Sequence, residues 1–152
     1  IFGILELLVF GFFNFRKRAL FFAGDIGSIS IGVFITFLLL LFSFKLNSPI
    51  PFMFISVYLI DGGVTIISRL IKKENILKPH KSHLYQNLVH LKSMKHLTVA
   101  GSYAIVQIIV DLFVLRFINE DLSYQLKLSV PVVLFLILTH VVINKKLKPS
   151  FS

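Results

Sequence analysis

Five apolar segments separated by short polar stretches leave this chain few ways to fold. They run over residues 1–15, 27–44, 51–70, 98–117 and 126–143. A helix needs about 20 residues to cross the hydrocarbon core, within a range of roughly 17–25, and the last four segments meet that length. The first is shorter and opens at Ile1, with neither a methionine nor a basic leader, so it reads as a truncated helix of a longer protein and not as a signal peptide. Backbone groups in lipid must be paired within the protein, which allows helices or a closed barrel. The continuous run Phe37-Leu38-Leu39-Leu40-Leu41-Phe42 lacks the alternation of a barrel strand. The sequence therefore predicts an all-α polytopic membrane protein of about five transmembrane helices, the N-terminal one truncated. Residues 1–152 read as a single membrane domain, with residues 72–97 as a cytoplasmic loop.

Composition supports that reading. Hydrophobic residues make up 56% of the 152, charged residues 15%, and the mean hydropathy is +0.87, against about 45–50% and about 25% in a soluble domain. The absence of cysteine excludes disulfides and cysteine metal sites. The net charge of +9 could suggest nucleic acid, but the basic residues sit in alternate connections. One set holds Arg16, Lys17 and Arg18, then Arg69, Lys72, Lys73, Lys78, Lys81, Lys92 and Lys95, then Lys145, Lys146 and Lys148. The other holds only Lys45, Arg116 and Lys127. Thirteen against three makes the first set cytoplasmic by the positive-inside rule. The C-terminus is then cytoplasmic, the partner is the membrane, and nucleic acid is not expected.

Asp25 lies between Gly24 and Gly27, after the Arg16–Lys17–Arg18 run and before an apolar segment. If a helix starts near residues 26–28, its free amides and positive dipole end favour an anion there. The two glycines allow a ligand close to the backbone. One carboxylate in that position suits Mg²⁺, which keeps several waters and binds one or two carboxylates plus substrate phosphates. A helix cap, or a salt bridge to the preceding basic run, explains the same residue. His80 and His83 are three apart in Pro79-His80-Lys81-Ser82-His83-Leu84-Tyr85-Gln86, and would share a face if this piece were helical. Too few further ligands accompany them for zinc. Phosphate recognition fits His80, Lys81 and His83 better, and a basic loop attracted to anionic headgroups fits as well. Asp61 and Asp111 fall inside predicted spans, where acids face the bundle interior or a polar cavity; a structural ion pair is the other reading for each. Glu6 and His140 read as structural, and His90 and His96 as loop residues.

Three stretches resemble a known family. Phe22-Ala23-Gly24-Asp25-Ile26-Gly27-Ser28 resembles the F-M-G-D-x-G-S signature of the polyprenyl-phosphate N-acetylhexosamine-1-phosphate transferases. Asp61-Gly62-Gly63-Val64-Thr65 with Arg69, followed by His80-Lys81-Ser82-His83-Leu84-Tyr85-Gln86, resembles that family's D-x-x-V-T…R and H-R-S-H-L-Y-Q segments. The likeness runs from about Asn14 to Gln86. It implies transfer of a sugar 1-phosphate from a UDP-N-acetylhexosamine to undecaprenyl phosphate or a similar lipid, releasing UMP, with Mg²⁺ required and Mn²⁺ as the alternative. It also implies a bacterial inner-membrane enzyme with a cytoplasmic active site, starting cell-envelope glycan synthesis; a homodimer is an open option.

By the same resemblance Asp25 is a catalytic metal ligand and His83 a catalytic residue that contacts the nucleotide-sugar phosphates. His80, Lys81, Ser82, Arg69, Gly24 and Gly27 are expected to bind substrate. Ala23 replaces the usual methionine, and Lys81 replaces arginine, keeping charge but losing bidentate geometry. Tyr85 and Gln86 stand where some branches carry histidines, which points toward the O-antigen and common-antigen branch. The family's paired aspartates and N-x-x-N-x-x-D-G segment are not in these 152 residues, so the chain resembles the C-terminal half of such an enzyme. A secondary transporter fragment using Asp61 and Asp111, or a catalytically incomplete remnant of the family, are the rival readings.

Overall fold

The computed structural model describes residues 2–14, 24–76 and 83–147. All regular structure among them is helical: α1 (Phe2–Asn14), α2 (Gly24–Leu46), a 3-10 helix (Ile50–Ile55), α3 (Ser56–Ile71), α4 (Leu84–Leu91), α5 (His96–Val114) and α6 (Leu122–Leu147). Four stretches are long and apolar enough to cross a membrane: Gly27–Leu46, Ile50–Ile71, His96–Val114 and Leu122–Leu147. They coincide with the four full-length segments read from the sequence, and the protein is an all-α integral membrane protein. The described part of the first segment, α1, is 13 residues long. Two boundaries move. Helix α2 begins at Gly24, earlier than expected, so Gly24, Asp25 and Gly27 all lie in its first turn. His90 and His96 are helical, at the end of α4 and the start of α5.

The chain divides into two compact units, Ile1–Phe42 and Ser43–Ser152. In the first, Gly3 of α1 faces the Phe34 ring of α2 closely enough that a Cβ there would lie 3.3 Å from it. In the second, the helix ends show how the chain is turned. Asn47, Lys73 and Ser93 have positive φ (49°, 56° and 51°), each just beyond a helix. The Ser48 amide returns to the Ser43 carbonyl and the Glu74 amide to that of Arg69, so left-handed residues close the last turns of α2 and α3.

The second span is broken. Pro49 and Pro51 set a 3-10 turn in front of α3, which leaves backbone groups unpaired inside the membrane segment. Gln107 of α5 takes them up: its Nε2 donates to the Met53 carbonyl (2.9 Å) and its Oε1 accepts from the Val57 amide (2.9 Å). The same Nε2 donates to Asp111 Oδ1 at 2.6 Å, which gives that intramembrane acid its partner. Beside this joint lies the core, where Ile50 and Met53 pack on Val110, Val114, Phe117 and Ile118, with Leu128, Val132 and Leu136 of α6 against them.

The turn after α2 and the turn before α6 meet. Ser48 Oγ donates to Gln125 Oε1 (2.5 Å), and Gln125 Nε2 donates to the carbonyls of Ile118 and Glu120. The two connections read as non-cytoplasmic therefore lie at one end of the second unit. Away from that end, α5 turns Ile105, Ile109 and Leu112 outward, each about three-fifths exposed, one stripe at helical spacing suited to lipid.

Candidate functional site

At the other end of the second unit, four helices converge on one carboxylate. Asp61 is on α3, in a span, and is 3% exposed. Its Oδ1 accepts from the Leu84 amide (2.8 Å) and lies 3.1 Å from His140 Nε2. Its Oδ2 accepts from the Tyr103 hydroxyl (3.0 Å) and the Tyr85 amide (3.4 Å). Two donors on each oxygen satisfy an ionised carboxylate, which can only accept. Nδ1 of His140 is buried with no partner among the described residues. The tautomer with the proton on Nε2 therefore serves this cluster, since it leaves no orphaned N–H.

The amides of Leu84 and Tyr85 are the first two of α4, so Asp61 caps that helix from outside it. His83 occupies the N-cap position in an extended conformation (φ −63°, ψ 148°), and its carbonyl accepts from the Asn87 amide at 3.0 Å. His83 and Gln86 form a reciprocal capping box in which Gln86 Oε1 accepts from the His83 amide at 3.4 Å. The early amides of α4 are thereby accounted for, as helix starts require. The His83 imidazole stacks on Tyr85 with ring centroids 5.6 Å apart, and its Nδ1 is 3.8 Å from Asp61 Oδ1, beyond hydrogen-bond reach. Burial pushes the Tyr85 phenol above its usual pKa, and the negative charge of Asp61 adds to the effect. A second tether, Asn87 Nδ2 to Asn144 Oδ1 at 2.8 Å, fixes α4 to α6.

The sequence-predicted residues distribute as follows. His83 joins this cluster at the N-cap of α4. His80, Lys81 and Ser82 lie outside the described residues, as do Arg16, Lys17 and Arg18. The backbone of Asp25 is described, as the second residue of α2; its side chain, like that of Glu6, lies outside the description. Arg69 is buried and, among the described residues, bonds to the segment after α3: Nε to Glu74 Oε2 (3.1 Å) and the guanidinium to the carbonyls of Asn75 (2.5 Å) and Ile76 (3.4 Å). Sequence reasoning took Asp61 and His140 separately and missed Tyr103, whose one signal was a hydroxyl in a largely apolar span.

Between α3 and α6 a half-open cleft of about 650 Å³ runs over Val64, Ile67, Ile137 and Val141, with Lys72 and Lys145 at its end. An apolar floor with two ammonium groups at one end can take an acyl or prenyl chain bearing an anionic head. Among the described residues, no group of three or more histidine, aspartate or glutamate side chains is arranged to hold a metal ion.

No family model and no solved structure matches the chain significantly. Over 106 residues, 67% of its length, it is 32% identical to the "Probable undecaprenyl-phosphate N-acetylglucosaminyl 1-phosphate transferase" of Bacillus subtilis (strain 168). The matched stretch spans 29% of that relative, so the chain corresponds to less than a third of it. A match of this extent agrees with the helical membrane architecture and with the family resemblance of the sequence. On these grounds the chain belongs to the polyprenyl-phosphate N-acetylhexosamine-1-phosphate transferase family.

Proposed function

We propose that this chain is part of an enzyme that transfers N-acetylhexosamine 1-phosphate from a UDP-sugar to undecaprenyl phosphate, at the cytoplasmic face of a bacterial inner membrane. The observation that carries the reading is the 32% identity to the Bacillus subtilis transferase, in a chain that also holds three motifs of the family in order. An oxygen of the lipid phosphate attacks the sugar-linked phosphorus, the bond from that phosphorus to the bridging oxygen breaks, and UMP leaves with that oxygen. Little covalent chemistry falls to the protein in such a step, so positioning and charge stabilisation supply most of the catalysis. Asp25, in the first turn of α2, would hold Mg²⁺, which when bound neutralises diphosphate charge. His83, partly exposed at the tip of α4, steadies phosphate oxygens, with His80 and Lys81 preceding it in the same segment. The cleft between α3 and α6 offers the prenyl chain an apolar floor and the lipid phosphate Lys72 and Lys145.

The test is UMP release from UDP-N-acetylglucosamine and undecaprenyl phosphate by the full-length protein in detergent or vesicles. Asp25→Asn is expected to abolish release while membrane insertion stays at the wild-type level. Retained turnover in that variant would remove Asp25 from metal binding. Proton- or sodium-coupled uptake insensitive to Asp25→Asn would favour a transporter instead.

A further inference from the structure

Helix α4 has only eight residues, and a helix that short is marginal without tertiary support. Such helices are usually capped locally, by Ser, Thr, Asp or Asn at the N-cap itself. Here the N-cap is His83, and the acceptor for the first two amides comes from α3, twenty-three residues away in sequence. Placing a carboxylate in a membrane span is costly, so an acid there marks a purpose. Asp61 offsets that cost with four donors and the positive end of the α4 dipole. With its first two amides capped from α3, the helix carries at its N-cap an imidazole that closes the capping box on the Gln86 amide and still stays partly exposed. Tyr103 and His140 hold the carboxylate from α5 and α6, so the height and angle of the α4 tip are set by three spans together.

We propose that Asp61 is a positioning residue for the transfer reaction: with Tyr103 and His140 it docks the start of α4 and so fixes the His83 imidazole in the register that phosphate recognition needs. This rests on the functional reading above, in which His83 acts on phosphate. The role makes Asp61 and His83 one functional unit, and residues acting as a unit give strongly non-additive losses.

The experiment measures kcat and KM for UDP-N-acetylglucosamine in the full-length protein, with membrane insertion and monodispersity in detergent as the folding check. Asp61→Asn keeps one carbonyl oxygen but turns the other acceptor into a donor facing Tyr103 and Tyr85. It is expected to lower kcat about 10- to 100-fold, the scale of a misplacement of about 1 Å, with KM changed less than about threefold. Asp61→Asn added to His83→Ala should cost nothing beyond His83→Ala alone. Tyr103→Phe, which deletes one hydroxyl and keeps the ring, should lower kcat a few-fold in the same pattern, and it carries the test if Asp61→Asn does not yield folded protein. Unchanged kcat in folded variants overturns the proposal, as does a double variant whose losses multiply, because that is the signature of a merely structural role. A wild type that releases no UMP overturns the functional reading itself, and with it the positioning role.

Discussion

Arg69 shows how one side chain expected to bind substrate also serves the fold. Its position after a motif acid at the end of a span suggested substrate binding. Its guanidinium also donates to Glu74 and to the carbonyls of Asn75 and Ile76, holding the segment that leaves α3. The ion pair contributes little, since Glu74 is about half exposed and such pairs are worth at most about 1 kcal/mol. The two carbonyls matter more, because only a planar fork reaches both while also contacting a carboxylate. Arg69→Lys is therefore expected to cost about 1–3 kcal/mol, seen as a lower thermal unfolding midpoint in detergent, whereas Glu74→Gln should shift it much less. A midpoint that falls equally in both would assign the stability to the ion pair.

The elements owe their placement to polar side chains inside apolar spans. Gln107 is the clearest case, since it bonds both sides of the joint between the 3-10 turn and α3. Without it the Met53 carbonyl and the Val57 amide face hydrocarbon or packed side chains, where each lost partner costs about 1–3 kcal/mol. Gln107→Leu should lower the unfolding midpoint markedly and lower UMP release with it. Gln107→Glu keeps an acceptor for Val57 but loses the donor to Met53 and sets two carboxyls together with Asp111, so it should be no better tolerated. A Leu variant as stable as the wild type would show that the joint is held by packing against Val110 and Val114 alone. Helix α4 follows the same rule in reverse. It is too short to be legible by periodicity, and its first two amides find their acceptor on another helix, so Gln86 at the third position of the capping box is a weak local mark of where it starts.

For the whole molecule, the bond between Ser48 and Gln125 gathers two turns at one end of the second unit, while Asp61, α4 and Arg69 mark the other. By the positive-inside rule, the excess of basic residues predicts that the second end faces the cytoplasm, which labelling can test. Since these 152 residues contain no cysteine, single substitutions can report sidedness once any cysteines elsewhere in the full protein are removed. Lys95→Cys is expected to react with a membrane-impermeant maleimide only from the cytoplasmic side, and Asn119→Cys only from the opposite side; the reverse pattern would invert the topology. The spans were legible in the sequence because lipid imposes the same apolar demand on every residue of a helix, about twenty in a row. For the same reason intramembrane acids such as Asp61 and Asp111 could be recognised as needing partners. Which partners they take was not legible. Asp61 and His140 are 79 residues apart, and Tyr103 lies on a third span. Their meeting depends on how three apolar helices rotate and pack against one another, and a sequence that is apolar nearly all round each helix does not specify that rotation. The sequence by itself determined that the chain spans the membrane and that its buried acids need partners. Only the tertiary structure decided that one of those acids caps the helix carrying His83, because that contact joins groups from four different helices.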